Sequence, residues 1–158
     1  MSSTVQAWRL VKHNRAATAF DGEGAFQFGG RWNSRGQRVV YASSTLSLAL
    51  LEILVHIDPT GHVPELVAIP IELPRRLVEE NAYSGMSTLD TALPWPLNET
   101  RRAGDVWLQA SKKPALKIPS AIVPIESNYL INPMHRDFEQ CRIGAPQTFN
   151  FDPRLLQL

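Results

Sequence analysis

Twelve prolines among 158 residues limit what this chain can fold into more than any other feature. Their share, about 7.6%, exceeds the usual ~5%. Each proline fixes its own φ and lacks the N–H that a helix interior or a central strand needs. The chain is therefore expected to reverse often, to form few long helices and to mix α and β structure. Its length suits one domain of roughly 100–200 residues with a single core. An apolar share of 44% with 20% charged residues is enough to build that core and argues against general disorder.

Charge and sulfur narrow the function classes. Sixteen basic side chains against fifteen acidic ones leave +1, which removes bulk charge as an argument for a nucleic-acid binder while leaving room for a local basic patch. Cys141 is the one cysteine, so neither an internal disulfide nor a structural zinc site is expected, and the chain reads as cytoplasmic. The first fifteen residues, MSSTVQAWRLVKHNR, lack the apolar stretch of a signal peptide. No run reaches the roughly 18 apolar residues of a membrane span, and the longest candidate, 46–57, contains Glu52 and His56.

Local patterns place the elements. Val5–Val11 (VQAWRLV) reads as a strand with Trp8 and Leu10 on one face. Residues 21–36 hold five of the nine glycines, so positive φ or close ligand approach is concentrated there. Asn33–Gly36 has turn chemistry and Gln37–Ala42 suits a strand, which together predict a hairpin. Ser43, Ser44 and Thr45 offer N-cap oxygens to a helix over LSLALLEILVHI, which ends before Asp58-Pro59-Thr60-Gly61. Val63–Leu73 is expected to be extended, with Pro64 and Pro70 pushing it to a sheet edge or a bulge. Residues 81–98 read as a long surface loop, Asp105 as the cap of a short helix through Trp107 to Ser111, and 115–118, 121–125 and 128–131 as strands.

Glu52 is the clearest candidate for chemistry. Apolar residues surround it on every side of its helix, a pattern that predicts burial, and an ionised carboxylate there costs several kcal/mol unless it is paired or faces a pocket. A helix edge in water, or a structural arginine partner, is the plainer alternative. Arg31, between Gly29-Gly30 and Trp32-Asn33, could grip a phosphate or carboxylate with two hydrogen bonds, or be an ordinary surface arginine. Tyr41 ends the strand before the Glu52 helix and could border the same cleft or simply pack in the core. Ser127 stands with Glu126 and Asn128 where polar residues interrupt IVPIESNYLINP, a bulge, a site or a plain loop. No dinucleotide fingerprint, P-loop or G-x-S-x-G occurs. The four histidines have no paired metal spacing, and His56 reads as a helix C-terminal residue; no metal is expected.

The run GGRWNSRGQRVVYAS, then LALLEILVH, GDVWL and PSAIVPIESNYLINPMH, resembles the RES domain, named for its Arg, Glu and Ser and found as the toxin of RES-Xre toxin–antitoxin pairs. The likeness covers nearly the whole chain with the motifs in order. It maps the family arginine to Arg31, the glutamate to Glu52, the tyrosine of the second motif to Tyr41 and the serine to Ser127, with Ser120 in the same motif. The resemblance implies one α+β domain over 1–158 with a mixed, largely antiparallel split sheet and few short helices, similar to ADP-ribosyltransferases of the diphtheria-toxin type. It further implies destruction of NAD+ at the nicotinamide–ribose bond. NAD+ would be a consumed substrate, and no cofactor is expected.

In that reading Glu52 steadies the oxocarbenium-like ribose, Arg31 holds the pyrophosphate or a ribose oxygen, Tyr41 stacks on nicotinamide, and Ser127 orients Glu52 or the carboxamide. Water, phosphate or a protein side chain could each take the ADP-ribosyl group, giving hydrolysis, phosphorolysis or ADP-ribosylation. Two readings of other classes stand beside it. Arg31, Arg35 and Arg38 beside Trp32 and Tyr41 would suit an RNA-directed toxin, and a non-catalytic binding module would turn over no nucleotide. Family membership also implies an Xre-type helix-turn-helix antitoxin that covers the cleft and alone contacts DNA, and self-association of the toxin as a homodimer.

Overall fold

The computed structural model of the chain describes residues 2–58, 60–80 and 96–157. Among these, eight strands form one sheet: β1 (Thr4–Lys12), β2 (Val40–Ser43), β3 (Leu66–Pro74), β4 (Val78–Glu79), β5 (Ala115–Pro119), β6 (Ser127–Ile131), β7 (Arg142–Ile143) and β8 (Gln147–Phe149). Their order is β4-β5-β6-β2-β1-β3-β7, with β8 also on β3. Only β4 and β5 pair in parallel. Three α-helices, α1 (Glu23–Phe28), α2 (Leu46–Leu54) and α3 (Leu97–Ala110), complete the α+β arrangement with a few 3-10 turns. No helix of the described residues is long and apolar enough to cross a membrane.

The sheet is split. β1 and β3 pair along nine residues, and β2 pairs with β6 at four positions, yet β1 meets β2 at one pair, Trp8 with Ser43. Alternation along β1 sends Ala7 into one core with Ala42, Ile71, Leu73 and Ile131, and Trp8 and Leu10 to the opposite face. α2 covers that second face on the β1–β3 side: Leu46, Ala49, Leu50 and Ile53 meet Trp8, Leu10, Leu66 and Ala68. The spacing i, i+3, i+4, i+7 lines up one stripe of the helix, and the Thr45 hydroxyl caps it by accepting from the Leu48 N–H at 3.1 Å. α3 covers the other half, packing Trp107 and Leu108 on Leu116, Ile118 and Leu130.

Several expectations need correction. α2 is not buried all round: Leu51 is 39% and Val55 61% exposed, because the sheet supports only its inner side. The predicted hairpin at Asn33–Gly36 lacks its first strand, since 23–28 is helical and only Gly30 and Asn33 form a bridge. β3 is not an edge strand; Pro70 falls between the β8 and β7 pairings, where its carbonyl accepts from the Gly144 N–H. Asp105 lies inside α3 rather than at a cap. Residues 121–125 form turns, not a strand, because the Ser120 hydroxyl captures the N–H groups of Ile122 and Val123. Of the expected 81–98 loop, 81–95 lies outside the described residues, and Leu97 opens α3.

Candidate functional site

Where β1 and β2 part, a cleft of about 600 Å³ opens on the face shared by α2 and α3. Register builds its floor: Trp8, Ser43, Asn128 and Ile118 lie side by side across four strands. α2 with Glu52 and Ile53, and the turn after it with His56, supply one wall, and the segment Gly29–Trp32 with Arg101 supplies the other. Arg31, Tyr41 and Glu52 therefore line the same cleft.

Glu52 is held through one oxygen. Its Oε1 accepts from Ser120 Oγ at 3.0 Å and from Asn128 Nδ2 at 2.7 Å, while Oε2 has no partner among the described residues. Ser120 is fully buried, and its hydroxyl also accepts from the Ile122 N–H at 3.0 Å and the Val123 N–H at 3.1 Å. With both lone pairs occupied, its one proton is directed at Glu52. The serine that meets Glu52 is thus Ser120. Ser127 begins β6, its carbonyl accepts from the Ser44 N–H, and it is not among the residues lining the cleft. Asn128 Oδ1 is buried without a partner among the described residues, so the amide acts here only as a donor.

Tyr41 is committed to the glycine-rich segment. Its hydroxyl accepts from the Trp32 N–H at 3.0 Å and donates to Asn33 Oδ1 at 2.7 Å. Burial raises its pKa above the ordinary 10.0, although the Trp32 N–H bond and nearby Arg101 work in the opposite direction. Only the ring is left to meet a ligand. Gly30 is required by the same contact: a Cβ there would stand 2.6 Å from the Tyr41 hydroxyl and 2.8 Å from Asn33 Oδ1. The fully buried Asn33 returns its Nδ2 to the carbonyls of Ala25 and Ser34, which folds the segment onto itself and turns Arg31 to the cleft.

Among the described residues, Arg9, Arg31, Arg101 and Glu52 are the charged residues that border the cleft. Arg9 leaves β1 on the Ala7 face, its guanidinium over the Phe20 ring, so the guanidinium groups on the Glu52 side are those of Arg31 and Arg101. The Arg31 side chain makes no hydrogen bond or ion pair among the described residues. Arg9 reaches across the split to the Tyr41 carbonyl at 2.6 Å, bridging the strands where their ladder fails. Burial lowers its pKa from 12.5 to about 10, with Asp21 partly offsetting the shift. Arg101 Nε donates to the Gly30 carbonyl at 2.7 Å. Arg9 and Arg101 were missed in the sequence reading. The argument that singled out Glu52, a charge set among apolar neighbours, applies equally to Arg9 within VQAWRLV; Arg101 carries no such signal. Arg31 and Arg101 suit an anionic ligand, with the Glu52 carboxylate beside it. No group of three or more potential metal ligands occurs among the described residues.

Known proteins resemble this chain along nearly its whole length. It is 35% identical to "Toxin Res" of Yersinia enterocolitica over 157 residues, covering 94% of this chain and 97% of that protein. It is 32% identical to a "Prs ADP-ribosylating toxin" of Sphingobium sp., covering 98% of each. The fold matches a chain of the Mycobacterium tuberculosis MbcT-MbcA toxin-antitoxin complex with a TM-score of 0.73 at 15% identity, over 98% of this chain and 87% of that one. The family model described as the RES domain matches residues 6–152. The span of that match takes in every residue of the cleft, and with relatives above 30% identity along the same stretch this chain belongs to the RES domain family.

Proposed function

We propose that the chain is the toxin of a toxin–antitoxin pair and that its cleft cleaves NAD+ between nicotinamide and ribose. The observation that carries this reading is the Glu52 carboxylate, clamped through Oε1 by Ser120 and Asn128 with Oε2 left without a partner among the described residues, in a cleft that Arg31 and Arg101 also line. Nicotinamide leaves with the electron pair of the breaking C–N bond and departs neutral, so no strong general acid is needed. Positive charge then develops on the ribose, and a carboxylate fixed beforehand stabilises it without reorganising. Arg31 faces the pyrophosphate, and the Tyr41 ring, its hydroxyl already engaged, offers a stacking surface to nicotinamide. With water as acceptor, its oxygen bonds to the ribose carbon and its proton passes to solvent, giving ADP-ribose, nicotinamide and H+.

A protein side chain as acceptor is the second reading, favoured by the printed name of the Sphingobium relative. An antitoxin partner is supported by the toxin–antitoxin complex that contains the structural neighbour. We assign to that partner an Xre-type helix-turn-helix and any DNA contact, and to the toxin itself a homodimer. The test is mass spectrometry of NAD+ incubated with the purified protein, with and without phosphate and with a cell extract. Free nicotinamide with ADP-ribose, its 1-phosphate or ADP-ribosylated protein identifies the acceptor. NAD+ left intact in all three refutes the reading.

A further inference from the structure

The segment GDVWL lies in the second half of α3, away from Glu52, and the cleavage chemistry does not use it. What it does is grip the loop that carries Arg31. Gly104 lets the helix touch the Trp32 backbone, where a methyl group would overlap the Trp32 carbonyl. Asp105 accepts from the Ser34 N–H at 2.9 Å and from its hydroxyl at 2.6 Å. One turn earlier, the buried Thr100 hydroxyl donates to the Arg31 carbonyl at 2.5 Å. Thr100, Gly104 and Asp105 are buttresses, because each spends its chemistry on backbone or on a loop hydroxyl.

Arg101 stands apart from them. Its Nε is spent on the Gly30 carbonyl, which fixes the plane of the guanidinium, and its terminal nitrogens meet no carboxylate among the described residues. It also lines two hollows: the cleft, and a second groove along α3 bordered by Asn98, Arg102 and Val106. Arg101 and Leu97 are the residues common to both, so these two side chains stand on the boundary between the hollows. A guanidinium held flat by a backbone oxygen, with its remaining N–H groups free, is preorganised for two phosphate oxygens.

We propose that Arg101 is a substrate-binding residue that holds the pyrophosphate of a dinucleotide at the boundary between the cleft and the α3 groove, with Arg31 on the near side. The distal nucleoside then lies along α3. This rests on the NAD+ reading above and adds to it where the phosphates sit.

The test compares NAD+ turnover by the wild-type protein, Arg101→Gln, Arg101→Lys and Thr100→Val. Loss of a charge-assisted phosphate contact made equally in ground and transition states raises KM with kcat kept. Arg101→Gln should therefore raise KM for NAD+ about 10- to 100-fold and weaken competitive inhibition by ADP-ribose in parallel. Arg101→Lys, which keeps the charge and loses the fork, should fall between. Thr100→Val, which loosens the loop carrying Arg31 without removing a charge, should raise KM less than Arg101→Gln. A fall in kcat with unchanged KM in both Arg101 variants reduces Arg101 to another buttress and overturns the subsite alone. Absence of NAD+ turnover by the wild-type protein overturns the cleavage reading, and the subsite with it.

Discussion

Replacing Glu52 with glutamine isolates charge from shape. Glutamine keeps a carbonyl oxygen that can accept from both Ser120 and Asn128, the two donors now on Oε1, and puts an NH2 where Oε2 faces the cleft. The clamp survives, so unfolding free energy should change by less than about 1 kcal/mol. What disappears is one negative charge. At ~4 Å from a developing ribose cation, in surroundings of effective dielectric ~20, that charge is worth about 4 kcal/mol, or roughly 1,000-fold in rate. A loss of about 100-fold or more in kcat for NAD+, read by nicotinamide release, with thermal unfolding near wild type, is the expected result. KM should move little, because the cation is absent from the ground state. NAD+ consumption within a few-fold of wild type would remove Glu52 from the reaction.

Ser120→Ala should cost more activity than Ser127→Ala, and about 2–4 kcal/mol of stability, since the amides of Ile122 and Val123 lose their acceptor along with Glu52 losing a donor; equal losses in NAD+ turnover refute the assignment. Gly104→Ala should lower the unfolding midpoint by roughly 6–12 °C, the equivalent of about 3 kcal/mol of overpacking in a chain of this size, because the new methyl group meets the Trp32 carbonyl; an unchanged melting curve would show that α3 does not abut the loop. Burial raises the Cys141 thiol from 9.0 to about 11 and the Tyr129 hydroxyl above 10.0, and Tyr41 is raised too, so the folded chain keeps protons that the unfolded chain releases. Stability from these groups is complete below about pH 9 and declines as pH rises towards 11. Arg9, lowered to about 10, acts oppositely only above that pH, so the urea midpoint should fall between pH 8 and 10, and less steeply in Cys141→Ala; a rising midpoint contradicts the account.

The parts of the fold legible in the sequence were those where one local signal and the tertiary environment agree. β1 was legible because its alternation matches its two faces, and α2 because Thr45 both precedes the apolar run and caps it. α1 was not, since six residues between Gly22 and Gly29 read as turn chemistry. The start of α3 was hidden because Pro96 and the polar residues after it carry no apolar period, and Asp105 imitates a cap while serving Ser34 across 71 positions of sequence. Residues 121–125 have β-branched side chains yet turn, because one hydroxyl outcompetes the strand ladder.

Glu52 was found for a partly mistaken reason. Its helix is half exposed, and what marks the residue is its place on the side facing the split sheet. Arg31, Tyr41 and Glu52 come from segments far apart in pattern yet share one cleft. A serine beside Glu52 was expected from the motif that holds both Ser120 and Ser127, but local pattern could not choose between them or show Asn128 as a donor, because Ser120 and Asn128 approach Glu52 from 68 and 76 positions away.

Arg101 is fixed by a neutral carbonyl oxygen, that of Gly30, and neither it nor Arg31 is paired with an acid among the described residues. Their charge is not cancelled. A chain whose formal charge is only +1 thus sets two positive charges at one opening, where they act on anions within about a Debye length, ~8 Å at physiological ionic strength. Capture should therefore slow as salt is added while the uncharged core that sets folding stability barely responds.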